Sequence, residues 1–453
     1  MFTASVTKCS TTVSSGVFSI FSIVIVIVAA PCLVLCSTSD ELRALLEFKK
    51  GIHHDPLGKI TNSWNHTAIS TTADLDSCPN SFFGVICDVN SNAVAAIVLD
   101  RLNLTGELKF STLLGLKMLK NLSLVGNSFT GRLVPQLGTM SSLQHLDLSN
   151  NQFIGSIPDR IHDLWNLQYL NLSNNKFSGG YPSGIRNLQQ LRVLDMHSNG
   201  LWGDVGVFFS ELRNVEFVDL SCNSFSGELP GNPLNVSTLG NTVRHLNLSR
   251  NLLGGKFLRN DTLALFRSLE VLDLGGNRIG GELPSFGAML NLKVLRLHNN
   301  QLFGEVPTEL LATSIPLQEL DLSGNGFSGS INAINSTTLE ILDLSSNRLT
   351  GNFPELSSQS GLTTLRMSNN SLEGSLPSEW LSFSRLSKID LSANSFVGPI
   401  PPTLFSLNLR HLNLSGNHFS GAIPFPEAKV GELLVEPIFA PLEFLDLSDN
   451  SLT

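Results

Sequence analysis

Tyrosine and charge are both scarce in this 453-residue chain. It has 2 tyrosines against 27 phenylalanines, which favours aromatic rings stacked in a dry interior, where a hydroxyl would need a hydrogen-bond partner. Charged residues make up 15% of the chain, below the roughly 25% of ordinary soluble domains. The formal net charge is −9, and the basic residues are scattered. Because nucleic-acid binding needs a clustered basic face, we expect no nucleic-acid partner.

Catalytic signatures are also missing from the sequence. It contains no glycine-rich phosphate loop, no HRD or DFG kinase sequence, no HExxH zinc motif and no paired-cysteine metal site. We therefore predict a protein without enzymatic activity, cofactor or bound metal. The alternative is a zinc site among histidines that should face outward from the fold. These histidines are His145, His197, His245, His298 and His411.

Residues 1–37 have the pattern of a secretory signal peptide. No charged residue occurs between Lys8 and Asp40, and this interval contains the apolar run FSIFSIVIVIVAAPCLVLCS. The length of the run leaves an uncleaved signal anchor as the alternative. Under either interpretation the rest of the chain enters the secretory pathway.

Cysteines and glycosylation sequons agree with export. Cys78 and Cys87 form a close pair after the signal, and a disulfide between them suits an oxidising compartment. Cys222 is left as a free, packed thiol or, alternatively, as an intermolecular bridge. Ten N-x-S/T sequons predict glycosylation. They are Asn65, Asn103, Asn121, Asn171, Asn235, Asn247, Asn260, Asn335, Asn369 and Asn413.

An asparagine recurs fourteen times along the chain, mostly 22 to 26 residues apart, and in thirteen cases a glycine follows four residues later. Such a period indicates a solenoid, in which each unit buries its apolar face only against its neighbours. We predict an α/β solenoid over 94–453, with about 15 repeats of roughly 24 residues and a parallel sheet on the concave face. The asparagines are Asn127, Asn151, Asn175, Asn199, Asn223, Asn251, Asn277, Asn300, Asn325, Asn347, Asn370, Asn394, Asn417 and Asn450.

The repeat pattern LxxLxLxxNxFxGxIP gives each position a physical task. Its L-x-L core alternates, which predicts a short strand with the leucines inward. The bend after the strand leaves backbone polar groups inside the stack, away from water. An asparagine amide offers both donors and acceptors, so it can bond its own bend and the next coil. The Phe, Leu or Ile two positions later predicts a buried spine.

Residues 38–93 lie before the repeats and predict a helical N-terminal cap, which would cover the open end of the solenoid. Thr38 and Glu41 have the spacing of a helix capping box. Trp64 supplies apolar bulk. The expected apolar face of the helix is formed by Leu42, Leu45, Leu46 and Ile52.

The GxIP element, together with the cap sequences ALLEFKKGI, DPLG and FGVIC, resembles the plant-type leucine-rich repeat ectodomain. The chain is similar in particular to plant leucine-rich repeat receptor-like kinases. Segments such as GELKFSTLLGLKMLKNLSL and NVEFVDLSCNSFSGELP resemble the subgroup with inactive kinase domains. The resemblance covers nearly all of residues 40–453. It implies a single-pass plasma-membrane receptor with this region outside the cell, and a peptide or another leucine-rich repeat ectodomain as its partner.

The outward strand positions mix aromatic and polar side chains, as binding surfaces do. The candidate binding face consists of His145, Asp147, Tyr169, Asp195 and Phe217. Sequons at Asn171, Asn247 and Asn413 should also point outward, where a glycan would obstruct the face. Eight aspartates between the leucines are expected to be solvated residues of the repeat. They are Asp147, Asp195, Asp219, Asp273, Asp321, Asp343, Asp390 and Asp446.

The end of the sequence bears on function and location. Because the chain stops at Thr453, within a repeat, we interpret it as a fragment or truncated product. Membrane anchoring would then require a missing C-terminal segment, and a genuinely short product would be apoplastic. The alternative function is that of a secreted protein resembling polygalacturonase inhibitors. The segment FPEAKVGELLVEPIFAP, between Asn417 and Asn450, is either a flank loop or a ligand-contacting insertion.

Overall fold

In the computed structural model, residues 38–65, 78–229, 237–378, 380, 385–424 and 442–453 are described. The predicted signal peptide, the sequon Asn235 and the segment FPEAKVGELLVEPIFAP lie outside these residues. Within the described part of the chain, no helix combines the length and apolar character needed to cross a membrane.

Each repeat contributes one short strand to a 16-stranded sheet, here called the long sheet. Its first two strands pair antiparallel, and the following neighbours pair parallel. Leu146 and Leu170, at strand centres, are 0% exposed, because alternate residues of a strand point to opposite faces. The predicted repeat solenoid is confirmed. The strands are Val85–Cys87, Val94–Val98, Asn121–Ser123, His145–Asp147, Tyr169–Asn171, Val193–Asp195, Phe217–Asp219, His245–Asn247, Val271–Asp273, Val294–Arg296, Glu319–Asp321, Ile341–Asp343, Thr364–Arg366, Lys388–Asp390, His411–Asn413 and Phe444–Asp446.

Shorter sheets are formed by the segments that follow the bends of successive repeats. A four-stranded sheet contains Ile154–Gly155, Lys176–Gly180, Gly200–Asp204 and Ser224–Ser226. A nine-stranded sheet contains Gly254–Gly255, Arg278–Glu282, Gln301–Gly304, Gly326–Ser330, Arg348–Gly351, Ser371–Gly374, Ser395–Gly398, His418–Gly421 and Ser451–Leu452. A three-stranded sheet joins Ile52–His54, Thr105–Glu107 and Ser128–Thr130, and a two-stranded sheet joins Ala333–Ile334 and Glu355–Leu356.

Helices are short and lie in the cap and between the strands. The α-helices are Thr38–Lys49, Lys59–Ser63, Val205–Glu211, Ser237–Thr242 and Asn260–Leu263. The 3₁₀-helices are Phe110–Gly115, Pro135–Thr139, Asp159–Asp163, Ile185–Asn187, Thr308–Leu311 and Pro402–Ser406.

One continuous apolar core runs from Leu42 in the cap to Phe419 in a late repeat. Within it, Phe153 and Phe177 stack with ring centroids 6.3 Å apart. Burying such a side chain stabilises the fold by about 1.5–3 kcal/mol. The phenylalanines two residues after a repeat asparagine are 0% exposed: Phe129, Phe153, Phe177, Phe225, Phe327, Phe396 and Phe419.

Asn151 shows the hydrogen bonding that recurs in every repeat. Its side-chain N–H groups lie 3.2 and 3.0 Å from the carbonyls of Leu148 and Ser149 in its own bend, and 2.9 Å from that of Leu124 in the preceding coil. Its Oδ1 accepts the N–H of Phe129, also in the preceding coil, at 3.0 Å. All fourteen repeat asparagines accept such a bond. Each amide therefore bonds back to the coil before it, whereas we expected a bond to the next coil.

The residue before each repeat asparagine adopts a left-handed backbone conformation, with φ of 56° at Asn150 and 54° at Cys222. Glycine and asparagine tolerate this region, whereas most side chains are strained there. Cys222 occupies such a bend, is partly exposed and forms no disulfide. Gly131 lies in the next turn of the repeat with φ of 115°, and an added Cβ would lie 2.8 Å from the carbonyl oxygen of Leu108.

The cap packs around two aromatic rings and one disulfide. Trp64 is 0% exposed and stacks on Phe82 with centroids 5.5 Å apart. The indole N–H donates to the carbonyl of Phe83 at 2.9 Å. Cys78 and Cys87 are joined by a disulfide with a Cα–Cα distance of 5.9 Å.

Two sequence expectations about the cap are wrong. Ile52 lies beyond the helix, which ends at Lys49, and begins a strand that pairs antiparallel with Gly106. Glu41 does not act as the second half of a capping box, because its carboxylate accepts the N–H of Val94 at 3.0 Å. This bond attaches the cap helix to the first parallel strand, and burial raises the pKa of Glu41.

We expect Asn151→Leu to lower the free energy of unfolding by about 1–3 kcal/mol, because it leaves the N–H of Phe129 and buried carbonyls without partners. The measurement is urea denaturation followed by circular dichroism. The neighbouring Gln152→Ala serves as control, since the Gln152 side chain is exposed and, within the described part of the chain, has Lys176 as its hydrogen-bond partner, at 3.3 Å. Equal stability of the two variants would contradict the role given to the asparagine.

Candidate binding face on the long sheet

Parallel register brings outward side chains from successive repeats into straight rows across the long sheet. His145 pairs with Tyr169, Tyr169 with Val193, Val193 with Phe217, and Phe217 with His245. Each of these five side chains is half-buried. They form the central row of the outward face of the long sheet, here called the open face. Val271 and Val294 extend this row.

Aromatic rings stack along the central row. The His145 and Tyr169 rings lie 4.2 Å apart at 11°, and those of Phe217 and His245 lie 4.4 Å apart at 15°. Strand neighbours are about 4.8 Å apart, so in-register rings contact each other face to face. His411 and Phe444 form a similar pair at the far end, 4.3 Å apart, which sequence reasoning did not identify. The sequence signal for this pair was that His411 and Phe444 each occupy the first position of their strand.

The second outward position of each strand forms an acidic row. We expected its aspartates to be solvated, but each accepts the backbone N–H two residues later, as Asp219 Oδ1 does from Ser221 at 2.9 Å. Asp147 and Asp273 are buried. The expectation was wrong because the carboxylate closes the start of the bend after the strand. The aspartates with this bond are Asp147, Asp195, Asp219, Asp273, Asp321, Asp343, Asp390 and Asp446.

The structure brings the five predicted binding residues together on four consecutive parallel strands. The hydroxyl of Tyr169 donates to Asp147 Oδ2 at 3.2 Å, and burial raises the pKa of Tyr169. Asp195 is in register with Asp219 on the next strand. The name acidic–aromatic patch is used below for His145, Asp147, Tyr169, Val193, Asp195, Phe217, Asp219 and His245.

His197 lies at one border of this patch. Its Nδ1 is 2.7 Å from Asp195 Oδ1, and its Nε2 is 2.9 Å from the side-chain nitrogen of Asn174. Potential metal-ligating atoms of Asp195, His197 and Asp219 lie within 4.8 Å of one another. Because both ring nitrogens of His197 already have partners, the geometry is that of a hydrogen-bonded network.

The other histidines proposed for a zinc site do not join this cluster. His145 and His245 stack on aromatic rings of the central row, and His411 stacks on Phe444. His298 lies 3.3 Å from Asp321, several coils further along the array. The five residues therefore do not form a shared metal site.

Ion pairs occupy the later strands and one edge of the face. Arg296 binds Glu319 through two contacts of 2.7 Å and lies 3.6 Å from Asp273. Arg366 lies 3.4 Å from Asp343. At the edge before the central row, Arg192 faces Glu216 at 3.9 Å, and Arg244 contacts Glu270 at 3.2 Å.

Burial and hydrogen bonding move the histidine pKa values in opposite directions. The hydrogen bond to Asp195 raises the pKa of His197 above its ordinary value, against the effect of burial. Burial lowers the pKa of His145 and of His245, although nearby aspartates oppose it. On mild acidification His197 is therefore protonated before His145 and His245.

The predicted glycosylation sites differ in exposure. Asn103, Asn335 and Asn369 are exposed. Asn171 and Asn247 lie within the acidic row and are half-buried. The side-chain nitrogen of Asn171 donates to the Tyr169 hydroxyl at 3.3 Å, and that of Asn247 to Asp219 Oδ2 at 3.0 Å.

The repeated hydrogen bonds of the fourteen asparagines form what is here called the asparagine ladder. Parallel strands joined by such a ladder define the class of leucine-rich repeat solenoids. Family models agree: the leucine rich repeat N-terminal domain matches residues 38–88, and leucine rich repeat models match the array. The chain belongs to the leucine-rich repeat family. The repeat matches cover 117–177, 141–201, 268–289, 291–312, 316–336, 338–359, 361–383 and 408–426.

Among curated proteins, the chain is 53% identical over 337 residues to the probable inactive receptor kinase At5g10020 of Arabidopsis thaliana, covering 74% of this chain and 32% of that protein. The predicted resemblance to plant receptor-like kinases, including the inactive subgroup, is confirmed. The chain spans about a third of the length of that relative.

Two solved structures share the fold. One is the ectodomain of the membrane receptor kinase GASSHO1/SCHENGEN3 from Arabidopsis thaliana in complex with CASPARIAN STRIP INTEGRITY FACTOR 2, with a TM-score of 0.63, 27% identity, and coverage of 90% of this chain and 56% of that chain. The other is the plant peptide hormone receptor RGFR1 in complex with RGF2, with a TM-score of 0.62, 27% identity, and coverage of 77% and 62%.

The histidine shifts predict opposite pH effects at two positions of the face. A raised folded-state pKa adds stability that is complete below the unfolded value and is lost as pH rises through the folded value. The stability advantage of the wild type over His197→Ser should therefore be larger at about pH 5 than at about pH 8.5. Serine keeps the bend, as Ser221 does beside Asp219. The measurement is urea denaturation at both pH values.

His245→Val provides the matched comparison, since valine occupies this row at Val193 and Val271. Because burial lowers the pKa of His245, the stability it contributes falls as pH drops below the ordinary value of about 6.5. The advantage of the wild type over His245→Val should therefore be smaller at the acidic pH. The same sign of pH dependence for both variants would contradict the assigned environments.

Proposed function

We propose that this chain is the extracellular recognition region of a plant cell-surface receptor of the inactive receptor-like kinase type. It acts by binding an extended peptide segment, free or part of another leucine-rich repeat ectodomain, on the acidic–aromatic patch. In the same proposal, residues 1–37 are a signal peptide, 38–93 the cap and 94–453 the repeat array.

The stacked, half-buried rings of the patch carry this proposal. Aromatic side chains present large rigid contact areas, and interface hot spots are enriched in tyrosine and tryptophan. Neighbouring carboxylates and hydroxyls supply orientation-dependent polar contacts. The similarity to receptors that were solved with a peptide hormone or integrity factor supports the same type of partner for this chain.

The alternative of a secreted inhibitor of polygalacturonases has less support. The relatives described above are receptors or a receptor kinase. The feature that favours recognition, a row of stacked rings on the open face, is equally available to a soluble binder. The receptor is preferred because the 53% identical relative is a receptor kinase.

Removing two aromatic anchors should weaken recognition. We would select binders of the full chain from a display library of random 12-residue peptides, then measure their affinities by calorimetry. Tyr169→Ala combined with Phe217→Ala should weaken the selected peptides at least tenfold, since each hot-spot truncation costs more than about 1 kcal/mol.

Trp202→Ala is the matched control for that double variant. Trp202 is 59% exposed but lies on the four-stranded sheet, away from the open face. Its removal should leave peptide affinity unchanged. Peptides that bind the aromatic double variant as tightly as the wild type would show that the patch is not the recognition surface.

We also propose that glycans occupy exposed sequons and spare the patch. Asn103, Asn335 and Asn369 should be modified to a high degree, because their side chains are exposed. Asn171 and Asn247 should be modified little, because their side chains are half-buried within the face. Mass spectrometry after enzymatic deglycosylation in heavy-oxygen water gives the occupancy of each site. Full occupancy at Asn171 or Asn247 would argue against peptide binding on the patch.

A further inference from the structure

We infer that the segment bound by the acidic–aromatic patch is cationic: an extended stretch carrying lysine or arginine among apolar residues. This inference rests on the proposed recognition function and adds the chemistry of the partner. It follows from the carboxylates beside the central row, from their lack of lysine or arginine partners among the described residues, and from the shape of the row.

The negative charge of the acidic row is not needed for the bend that it closes. At Asn171 and Asn247 an uncharged amide oxygen accepts the N–H two residues later, at 3.0 Å in both cases. Asp147 and Asp219 make the same bond at 3.0 and 2.9 Å. Because asparagine and aspartate give the same geometry, the carboxylate charge is surplus to folding at these positions.

Lysine and arginine do not neutralise this charge. Among the residues that the structure describes, neither forms an ion pair with Asp147, Asp195 or Asp219, and the side-chain partner of Asp195 is the imidazole of His197. Further along the sheet, Asp273 and Asp343 have the arginine partners Arg296 and Arg366. Three carboxylates without a lysine or arginine partner among the described residues therefore lie beside the aromatic part of the face.

The remaining oxygens of these carboxylates are bonded by neutral groups. Asp147 Oδ2 accepts from the Tyr169 hydroxyl at 3.2 Å, and Asp219 Oδ2 accepts from the Asn247 amide at 3.0 Å. Such bonds orient the oxygens without cancelling their charge. A carboxylate oxygen can also accept a further bond from an ammonium or guanidinium group.

The shape of the central row selects an extended peptide segment. From His145 to His245 the row crosses five strands, a length of about 19 Å at roughly 4.8 Å per strand. It is one side chain wide. A fully extended peptide rises by about 3.3 Å per residue, so roughly six residues cover the row. Apolar side chains of such a segment contact the rings, while cationic ones reach the acidic row alongside.

The test uses peptides selected from the random 12-residue library on the full chain. Those that depend on Tyr169 and Phe217 should carry net positive charge. Their affinity for a variant combining Asp195→Asn with Asp219→Asn should fall about fivefold to tenfold, the loss expected for two partly exposed ion pairs. Asparagine preserves the bend, so the circular dichroism spectrum should match that of the wild type. Affinity should also fall with added salt.

The matched control combines Asp390→Asn with Asp446→Asn. Asp390 and Asp446 close the same bend in the same row. Their substitution removes an equal charge outside the patch, so the affinity for the selected peptides should stay unchanged. The inference would be overturned by patch-dependent peptides that are neutral or acidic, or whose affinity is the same for the Asp195 and Asp219 double variant as for the wild type. Either result would leave the proposed recognition function unchanged. An equal loss in the control would also overturn the inference. A library that gives no patch-dependent peptide would overturn both proposals.

Discussion

The bend after each strand of the long sheet turns backbone carbonyls and N–H groups into the interior of the stack, where water cannot reach them. Asparagine satisfies both kinds of group at once. The amide of Asn251 contacts the carbonyls of Leu248 and Ser249 in its own bend and that of Leu220 in the coil before, while its Oδ1 accepts from Phe225. Repetition of these bonds fixes the stacking of coil on coil, and the remaining features follow from that stacking.

Because the coils are fixed in register, the identity of an outward residue decides what it touches. Tyr169 contacts His145 because both occupy the first outward position of neighbouring strands. Arg296 reaches diagonally to Glu319, which is in register with Val294 on the next strand. The open face therefore changes character along the array without any change of backbone. In the earlier repeats, stacked rings lie beside carboxylates that no described lysine or arginine pairs, and between Asp273 and Arg366 acids and arginines form ion pairs.

Periodicity is why the fold could be predicted from sequence: asparagine spacing and L-x-L alternation define strand, bend and spine. Local geometry was less accessible. The pattern around Glu41 suggested a cap within its own helix, but its partner, Val94, is 53 residues away, and no local pattern encodes such a contact. The aspartates were misjudged because hydropathy treats them as solvent-seeking, whereas their Oδ1 atoms close a turn. Asparagine or glycine precedes eight of the fourteen repeat asparagines, and these residues carried the signal for that bend.

Hydrogen exchange of individual amides tests the ladder most directly. The N–H groups of Phe129, Phe153 and Phe225 are bonded to side-chain oxygens of the ladder, and they are accessible to mass spectrometry after fragmentation. We predict that these N–H groups are among the slowest-exchanging amides of the chain, and that the N–H of Phe129 loses protection when Asn151 is replaced. Exchange at the rate of exposed loop amides would contradict this prediction.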